Sequence, residues 1–193
     1  VLLIALGCTL SQGAAQPAPA TLVRHASVVD VADGRILRDH AVLVRGDRIE
    51  RVGPDALVSA DTSPAAIRID AGGRYLIPGL WDMHVHALWD PIVTTTVLPL
   101  LLTQGITGVR DMGGTLDVLA LVRAQLAAGT LQAPRLVAAG PMLDGPEPVD
   151  PSVSLAIASP EDATRAVDRL AAAQVDFIKV YTLLPAPAFR AVM

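Results

Sequence analysis

The chain has 193 residues, of which 52% are hydrophobic and 3% aromatic, and its formal net charge is −4. This length suffices for one domain or for part of a larger one. An acidic chain with few aromatic side chains and no basic stripe argues against nucleic acid as a partner, because phosphate binding needs clustered cations.

Residues 1–20 are predicted to be a signal peptide. A short apolar run comes first, and the small residues at 18–20 offer a cleavage site. The Gly7-Cys8 pair also resembles a bacterial lipoprotein processing site, so a lipid anchor at Cys8 is the only membrane contact we expect. Because Cys8 is the only cysteine, no intrachain disulfide can form. Both interpretations predict an extracytoplasmic protein, periplasmic or secreted, and a disordered N-terminus is the alternative.

Residues 21–76 are predicted to form a small β domain. Apolar and polar residues alternate on both sides of Gly46-Asp47, which is a hairpin signal. Further short strands are expected at 26–31, 66–70 and 74–77. His25 and His40 lie in this region and are expected to be surface or turn residues.

Residues 77–193 alternate between strands and helices, which predicts parallel β/α units. Helices are expected from Asp90 to Gln104, kinked or split by Pro99, and after the N-cap residues Thr115 and Ser159. Strands are expected at 106–110, 135–139 and 175–181, and residues 141–152 are predicted to be a long loop at the substrate mouth. Of the helices expected in this region, helix 90–104 is the first and the segment after residue 185 begins the last.

Two histidines lie at the end of an earlier strand, the first of this region, which precedes helix 90–104. Alternate residues of a strand share a face, so His84 and His86 should project together, with Asp82 on the same side. Neutral imidazole is a favoured zinc ligand, so the pair is a candidate half of a metal site. The alternative is two histidines that fall by chance on a polar strand edge.

Lys179 is the only lysine beside fourteen arginines. It lies in an apolar run in which a solvated cation is not expected. A buried lysine amine can lose its proton, whereas arginine stays protonated, so a lone lysine here indicates chemistry that arginine cannot perform. A lysine extending from a strand end toward solvent is the alternative.

The spacing of these residues favours a barrel. His84 and Lys179 are 95 residues apart, which makes about 32 for each of three units. An eight-unit barrel of roughly 250 residues needs about 31 for each. A doubly wound open sheet is the competing fold, but no Gly-x-Gly-x-x-Gly loop follows the first strand.

Three motifs carry a resemblance to a known family. PGLWDMHVH at residues 78–86 resembles the first-strand signature of the amidohydrolase superfamily, metal-dependent hydrolases built on a (β/α)8 barrel. The likeness continues through GITGVRDMGG at 105–114 and DFIKVY at 176–181, and back to residue 21. The lysine strand and the leader are most similar to the imidazolonepropionase-related and Xaa-Pro dipeptidase-like branch.

The resemblance implies an α/β fold: the N-terminal half of a (β/α)8 TIM barrel at 77–193, preceded by part of a small β-sandwich domain at 21–76. It implies that His84, His86 and Lys179 hold two divalent metal ions, zinc in the first instance, with Lys179 carboxylated by CO2. The implied reaction is hydrolysis of an amide, peptide or cyclic amide bond in a small molecule or dipeptide. The chain could also assemble with copies of itself.

Two alternatives stay open at this point. A deaminase or cyclic amidase with one metal would leave Lys179 unmodified. A secreted barrel protein without activity would need neither a metal ion nor a modified lysine. The family's ligands from strands five and six and its strand-eight aspartate are not found in this chain, so no catalytic residue is assigned and we expect no turnover from these 193 residues alone. Asp111 resembles a general base but is predicted to belong to a structural loop, and Tyr181 shares the face of Lys179.

Overall fold

The computed structural model describes residues 20–193. Residues 1–19 of the predicted leader, with Cys8, therefore lie outside the described residues, and its last residue, Ala20, begins the first strand. The chain divides into two compact units, with the boundary between Pro78 and Gly79. Within residues 20–193, no helix combines the length and the apolar character that crossing a membrane requires.

The first unit is a five-stranded sheet with one short helix. Its elements in chain order are β1 (Ala20–Val29), β2 (Ile36–Arg45), β3 (Arg48–Pro54), α1 (Asp55–Ala60), β4 (Ile67–Asp70) and β5 (Tyr75–Leu76). The path of the sheet is β3-β2-β1-β4, and β5 also pairs with β1. The hairpin predicted at Gly46-Asp47 is confirmed as the antiparallel β2–β3 pair. The first strand begins six residues earlier than predicted, and α1 was not predicted.

A small core holds α1 against this sheet. It consists of Leu22, Ala41, Leu43 and Val58, all buried. Leu22 and Leu43 are opposite each other in the β1–β2 register, and Val58 comes from α1. Burial of Val58 therefore explains why a six-residue helix forms after a proline N-cap that provides no side-chain hydrogen bond.

A cluster of charges lies where β1 and β2 both leave regular geometry. His25 and Asp39 have positive φ angles, and His25 Nδ1 lies 2.9 Å from an Asp39 carboxylate oxygen. Arg24 donates two hydrogen bonds to the buried Asp55 carboxylate, which also accepts from the His25 backbone N–H. Arg24 lowers the pKa of Asp55, and the Asp39 carboxylate raises the pKa of His25.

The raised pKa of His25 predicts a pH-dependent contribution to stability. The charges facing it are Asp39 from β2, Asp55 from α1, Arg24 beside it and Asp70 from β4. A raised histidine pKa gives stabilisation that is complete below about pH 6.5 and is lost as the pH rises through the folded-state value. We expect His25→Asn, which tolerates positive φ, to lower the free energy of unfolding more at pH 5.5 than at pH 8.5.

Denaturant titrations at several pH values measure this difference. Asp39→Asn is the matched control, because in the His25→Asn background it should add no further pH dependence between pH 5.5 and 8.5. An equal loss for His25→Asn across that range would contradict the prediction.

The second unit begins with alternating strands and helices as predicted, but β8, β9 and β10 then follow one another, and α5 follows α4. Its elements are β6 (Leu80–Val85), α2 (Pro91–Thr103), β7 (Ile106–Asp111), α3 (Leu116–Ala127), β8 (Arg135–Ala138), β9 (Met142–Asp144), β10 (Ser154–Ala156), α4 (Pro160–Ala172) and α5 (Ala186–Val192). Strands β6, β7 and β8 form a parallel sheet in that order, and β9 pairs with β10. In the described residues no sheet closes into a barrel.

The predicted helix starts are confirmed. Asp90, Thr115 and Ser159 each accept a backbone hydrogen bond at an N-cap, and Ser159 forms a capping box with Asp162. Of the two predicted effects of Pro99, the split of its helix is wrong, and the kink stays a prediction. The helix α2 continues through Pro99, because one missing hydrogen bond is outweighed by burial of the neighbouring Leu98.

Two apolar clusters stabilise this unit. One lies between the parallel sheet and the helices α2 and α3, and contains Leu88, Leu98, Val109, Leu119 and Val122. The other joins β9 to α4 and α5 through Leu143, Ile157, Ala163, Leu170 and Ala188. The carboxyl ends of β6, β7 and β8 are thereby fixed at one edge of the sheet.

The loop predicted at 141–152 is partly wrong. Residues 141–145 are buried, and 142–144 form β9. The Asp144 carboxylate accepts backbone hydrogen bonds from Val149 and Leu183, which holds the following turn onto the strand. The proline and glycine on either side of residues 142–144 favour a loop. Burial of Met142 and Leu143 stabilises a strand instead.

The strand predicted at 175–181 is also wrong in its extent. This segment makes a single bridge, between Leu143 and Val180, flanked by hydrogen bonds from Leu143 to Lys179 and from Tyr181 to Leu143. The side chain of Asp176 accepts from the backbone N–H of Ala138, the last residue of β8. The Asp176 backbone N–H donates to the Ala138 carbonyl, but the Ala138 N–H pairs with a side chain instead of a backbone carbonyl, so a regular ladder does not continue here.

Candidate metal centre

The end of β6 carries the two histidines. The pairing of β6 with β7 shifts register between Asp82 and Val85, and the Asp82 carboxylate accepts the His84 backbone N–H at 3.1 Å. β6 ends at Val85, so His86 already lies past the last strand residue. The two side chains nevertheless point the same way, as the alternation of a strand predicts.

The geometry of the pair fits a single metal ion. The Nε2 atoms of His84 and His86 are 3.3 Å apart, and the ring centroids are 5.3 Å apart. Two imidazole nitrogens at 2.0–2.1 Å from a tetrahedral zinc ion are separated by about 3.3 Å. His84 is exposed and His86 half-buried, so one side of the pair is open to solvent.

The other ring nitrogen of His86 has a fixed partner. His86 Nδ1 lies 3.1 Å from the backbone carbonyl oxygen of Gly113, which also accepts from Trp89 Nε1 at 2.8 Å. A carbonyl oxygen only accepts, so Nδ1 carries the proton and Nε2 keeps its lone pair. A metal-binding histidine needs this tautomer.

Asp111 lies between the residues that follow His86 and the turn that carries Gly113. Its side chain is fully buried and accepts backbone hydrogen bonds from Ala87, Leu88 and Gly113. Burial raises the pKa of the Asp111 carboxyl above its ordinary value, although the three N–H donors and nearby His86 oppose the shift. The contacts agree with the predicted structural loop.

Lys179 lies one strand further along the unit. The Lys179 backbone carbonyl accepts from the Leu143 N–H. Met142, the residue before Leu143, packs beside Gly113 and His86. The Lys179 ammonium lies 5.7 Å from the centre of the Tyr181 ring, so the two side chains share a face as predicted. In residues 20–193 Lys179 makes no ion pair with a carboxylate.

The described part of the chain supplies an incomplete ligand set. No group of three or more His, Cys, Asp or Glu side chains that could hold a metal ion occurs among residues 20–193. His25 and His40 belong to the other unit, and both are half-buried there, one beside Asp39 and the other beside a backbone carbonyl. Sequence reasoning missed the contacts of Gly113 and Trp89 with His86, since Gly113 was known only as part of the motif at 105–114 and Trp89 belongs to no motif.

Comparisons with known proteins find relatives for parts of the chain. The chain is 43% identical over 91 residues to an adenine deaminase of Rubrobacter xylanophilus, which is 47% of this chain and 15% of that protein. It is 45% identical over 60 residues to an imidazolonepropionase of Deinococcus radiodurans, or 31% of this chain and 14% of that protein. No family model matches the chain.

A solved structure extends the likeness to most of the chain. The crystal structure of a proposed prolidase from Bifidobacterium longum superposes with a TM-score of 0.77 and 28% identity, covering 91% of this chain and 46% of that one. The chain thus spans about half of that structure and a smaller share of the curated relatives it matches.

The described fold matches the start of amidohydrolase structures, in which part of a β-sandwich precedes the first strands of a TIM barrel. The sequence relatives and this solved structure together support the amidohydrolase superfamily as the family of the chain, over the parts that each match covers.

Proposed function

We propose that the protein hydrolyses a carbon–nitrogen bond, in an amide, a cyclic amide or a dipeptide, with water activated by divalent metal. The observation that carries the proposal is the 3.3 Å separation of the His84 and His86 Nε2 atoms at the carboxyl end of a parallel strand. Active sites of (β/α)8 barrels lie at that end of the strands. The names of the relatives, adenine deaminase and imidazolonepropionase, support this bond class.

The chain's own residues contribute binding and orientation. His84 and His86 present their Nε2 lone pairs to one point, and Gly113 holds the second ring in the required tautomer. A bound divalent ion supplies Lewis acidity, which lowers the pKa of water and polarises a carbonyl. The proton carrier is not assigned to any residue of this chain.

Lys179 is proposed as the ligand that joins two ions. Its neutral amine would add CO2 and release a proton, which converts a cation into an anionic oxygen donor. The half-buried position of Lys179 and the lack of a carboxylate partner within residues 20–193 support this role. We propose zinc as the metal, since imidazole nitrogen and carboxylate-like oxygen are ligands that zinc accepts.

Removing the amine should therefore remove metal. We expect the full-length protein to contain about two divalent ions per chain and Lys179→Ala to retain at most one, as measured by elemental analysis after dialysis. A carbamate signal should appear after incubation with 13C-labelled bicarbonate and be missing from the variant. Arg190→Ala, which removes an exposed cation from α5, is the control and should keep both ions. Equal metal content in Lys179→Ala and the unmodified protein would contradict the bridging role.

A deaminase with a single metal is the second candidate. The 43% identity to an adenine deaminase favours it, although only over 91 residues. In that case elemental analysis gives one ion, and Lys179→Ala leaves it in place. A barrel protein without activity gives none.

Substrate assays separate the first two candidates further. Ammonia release from adenine indicates the deaminase. Cleavage of dipeptides that end in proline, or of a cyclic amide, indicates the hydrolase, and zinc chelation should stop either reaction. The assays use the full-length protein, and no metal-dependent turnover of any of these substrates by it would contradict the proposed function.

We also propose an extracytoplasmic location, on the basis of the apolar run and cleavage site in residues 1–20. N-terminal analysis of the mature protein distinguishes cleavage after residue 20 from lipid attachment at Cys8. Assembly of the chain with copies of itself is measured by light scattering on the same sample.

A further inference from the structure

One backbone carbonyl near the histidine pair accepts two side-chain hydrogen bonds. Gly113 O accepts from His86 Nδ1 at 3.1 Å and from Trp89 Nε1 at 2.8 Å. The ring centroids of His86 and Trp89 are 5.1 Å apart, so the indole flanks the imidazole as well. The orientation of the His86 ring therefore depends on where this peptide group lies.

Asp111 determines where that peptide group lies. One carboxylate oxygen accepts from the Gly113 N–H at 3.2 Å, while the other accepts from Ala87 at 2.7 Å and from Leu88 at 3.1 Å. Ala87 and Leu88 directly follow His86. A single carboxylate thus ties the chain that carries the imidazole to the turn that carries its hydrogen-bond acceptor.

The packing leaves this turn little freedom. A Cβ atom added to Gly113 would lie 3.2 Å from two atoms of the His86 ring and 3.1 Å from the Met142 side chain. The glycine therefore lets the backbone approach the ring closely. A shift of the turn by a few tenths of an ångström would change the contact with His86.

We propose that Asp111 is a positioning residue, which fixes the orientation and the Nδ1–H tautomer of His86 by holding Gly113 against the imidazole. That this tautomer directs the Nε2 lone pair of His86 at a metal ion rests on the proposed function. The positioning itself does not need the metal.

Asp111→Asn tests the proposal because asparagine has one acceptor oxygen instead of two. Its amide nitrogen must face either the Gly113 N–H or the N–H groups of Ala87 and Leu88, and two donors cannot pair. A buried N–H group without a partner is costly, so the turn or the histidine loop has to shift. Size and shape are otherwise preserved.

The first measurement uses no metal. Long-range 1H–15N spectra of the protein labelled with 15N-histidine show which ring nitrogen carries the proton, and His86→Gln identifies the signal. We expect His86 as the Nδ1–H tautomer in the unmodified protein and a mixture of tautomers in Asp111→Asn. Zinc titration should show affinity about 10–100-fold weaker in the variant, the usual effect of losing a partner behind a metal ligand.

Two variants serve as matched controls. Asp144→Asn changes another fully buried aspartate that accepts backbone hydrogen bonds, at Val149 and Leu183, and it should leave the His86 tautomer unchanged. Trp89→Phe removes the second donor to Gly113 but leaves Asp111 in place, so the Nδ1–H tautomer should persist.

Each outcome decides the matter. An Nδ1–H tautomer and a zinc affinity that both survive Asp111→Asn would overturn the proposal. If that variant does not fold, Gly113→Ala displaces the same contact from the other side, and an unchanged tautomer and zinc affinity there overturn the proposal equally. Loss of the tautomer in a protein that binds no zinc supports the positioning role but overturns the proposed function. The unmodified protein could instead bind zinc while His86 is in the Nε2–H form before metal is added. That result supports the proposed function but overturns the positioning role.

Discussion

Replacement of His86 with alanine is expected to abolish zinc binding by the protein. The variant keeps His84 but leaves one imidazole, where two now converge with Nε2 atoms 3.3 Å apart. Loss of an outer hydrogen-bond partner alone weakens metal affinity about 10–100-fold, so loss of a ligand should weaken it by more than about 100-fold. Zinc titration with a competing chelator measures the change.

His40→Ala is the control for this prediction. His40 is a half-buried histidine of the first unit, and its Nδ1 lies 2.8 Å from the Arg38 backbone carbonyl oxygen. Its replacement removes an imidazole without touching β6, so zinc affinity should be unchanged. If His86→Ala bound zinc as tightly as His40→Ala, the histidine pair would not be the metal site.

Leu98→Ala is expected to produce the largest loss of stability among single changes in α2. Leu98 is 0% exposed and packs in the cluster between α2, α3 and the parallel sheet. Truncation of a buried leucine costs about 2–5 kcal/mol, through lost apolar contact and the cavity that remains. Denaturant unfolding followed by a probe in the second unit measures the loss.

The same helix supplies the matched control. Leu100 lies two residues further on and is 56% exposed, so Leu100→Ala should change the free energy of unfolding by no more than about 0.5 kcal/mol. Similar losses for the two variants would mean that α2 does not pack on the sheet through Leu98.

The sequence predicted the histidine pair because the period of a strand is short and local. Alternate residues share a face, so His84 and His86 could be placed together from their spacing. Their environment could not be derived in the same way. Gly113 is 27 residues from His86, and that contact exists only once β6 and β7 are neighbours.

Local signals also predicted the helix starts, since Asp90, Thr115 and Ser159 act within their own first turns. The failures involve competition between distant groups. Residues 175–181 have the composition of a strand, but the Asp176 side chain takes the hydrogen bond at Ala138 that a backbone partner would otherwise make. Composition does not show whether the Ala138 N–H will pair with a side chain or with a backbone carbonyl.

Asp111 illustrates a limit of motif reading. An aspartate at the end of a barrel strand resembles a general base, and only its three backbone N–H donors and full burial identify its structural task. The prediction of a structural loop agreed with these contacts. Its connection to His86 through a glycine carbonyl became visible only in three dimensions.

The solitary lysine makes this protein a convenient subject for chemical labelling. Within these 193 residues an acylating reagent has one side-chain amine to modify, at Lys179. A lysine-specific endoprotease would cut these 193 residues at one peptide bond, between Lys179 and Val180, and modification of the Lys179 amine would block that cut. Protection of that amine by dissolved carbonate could therefore be followed by mass spectrometry without any substrate.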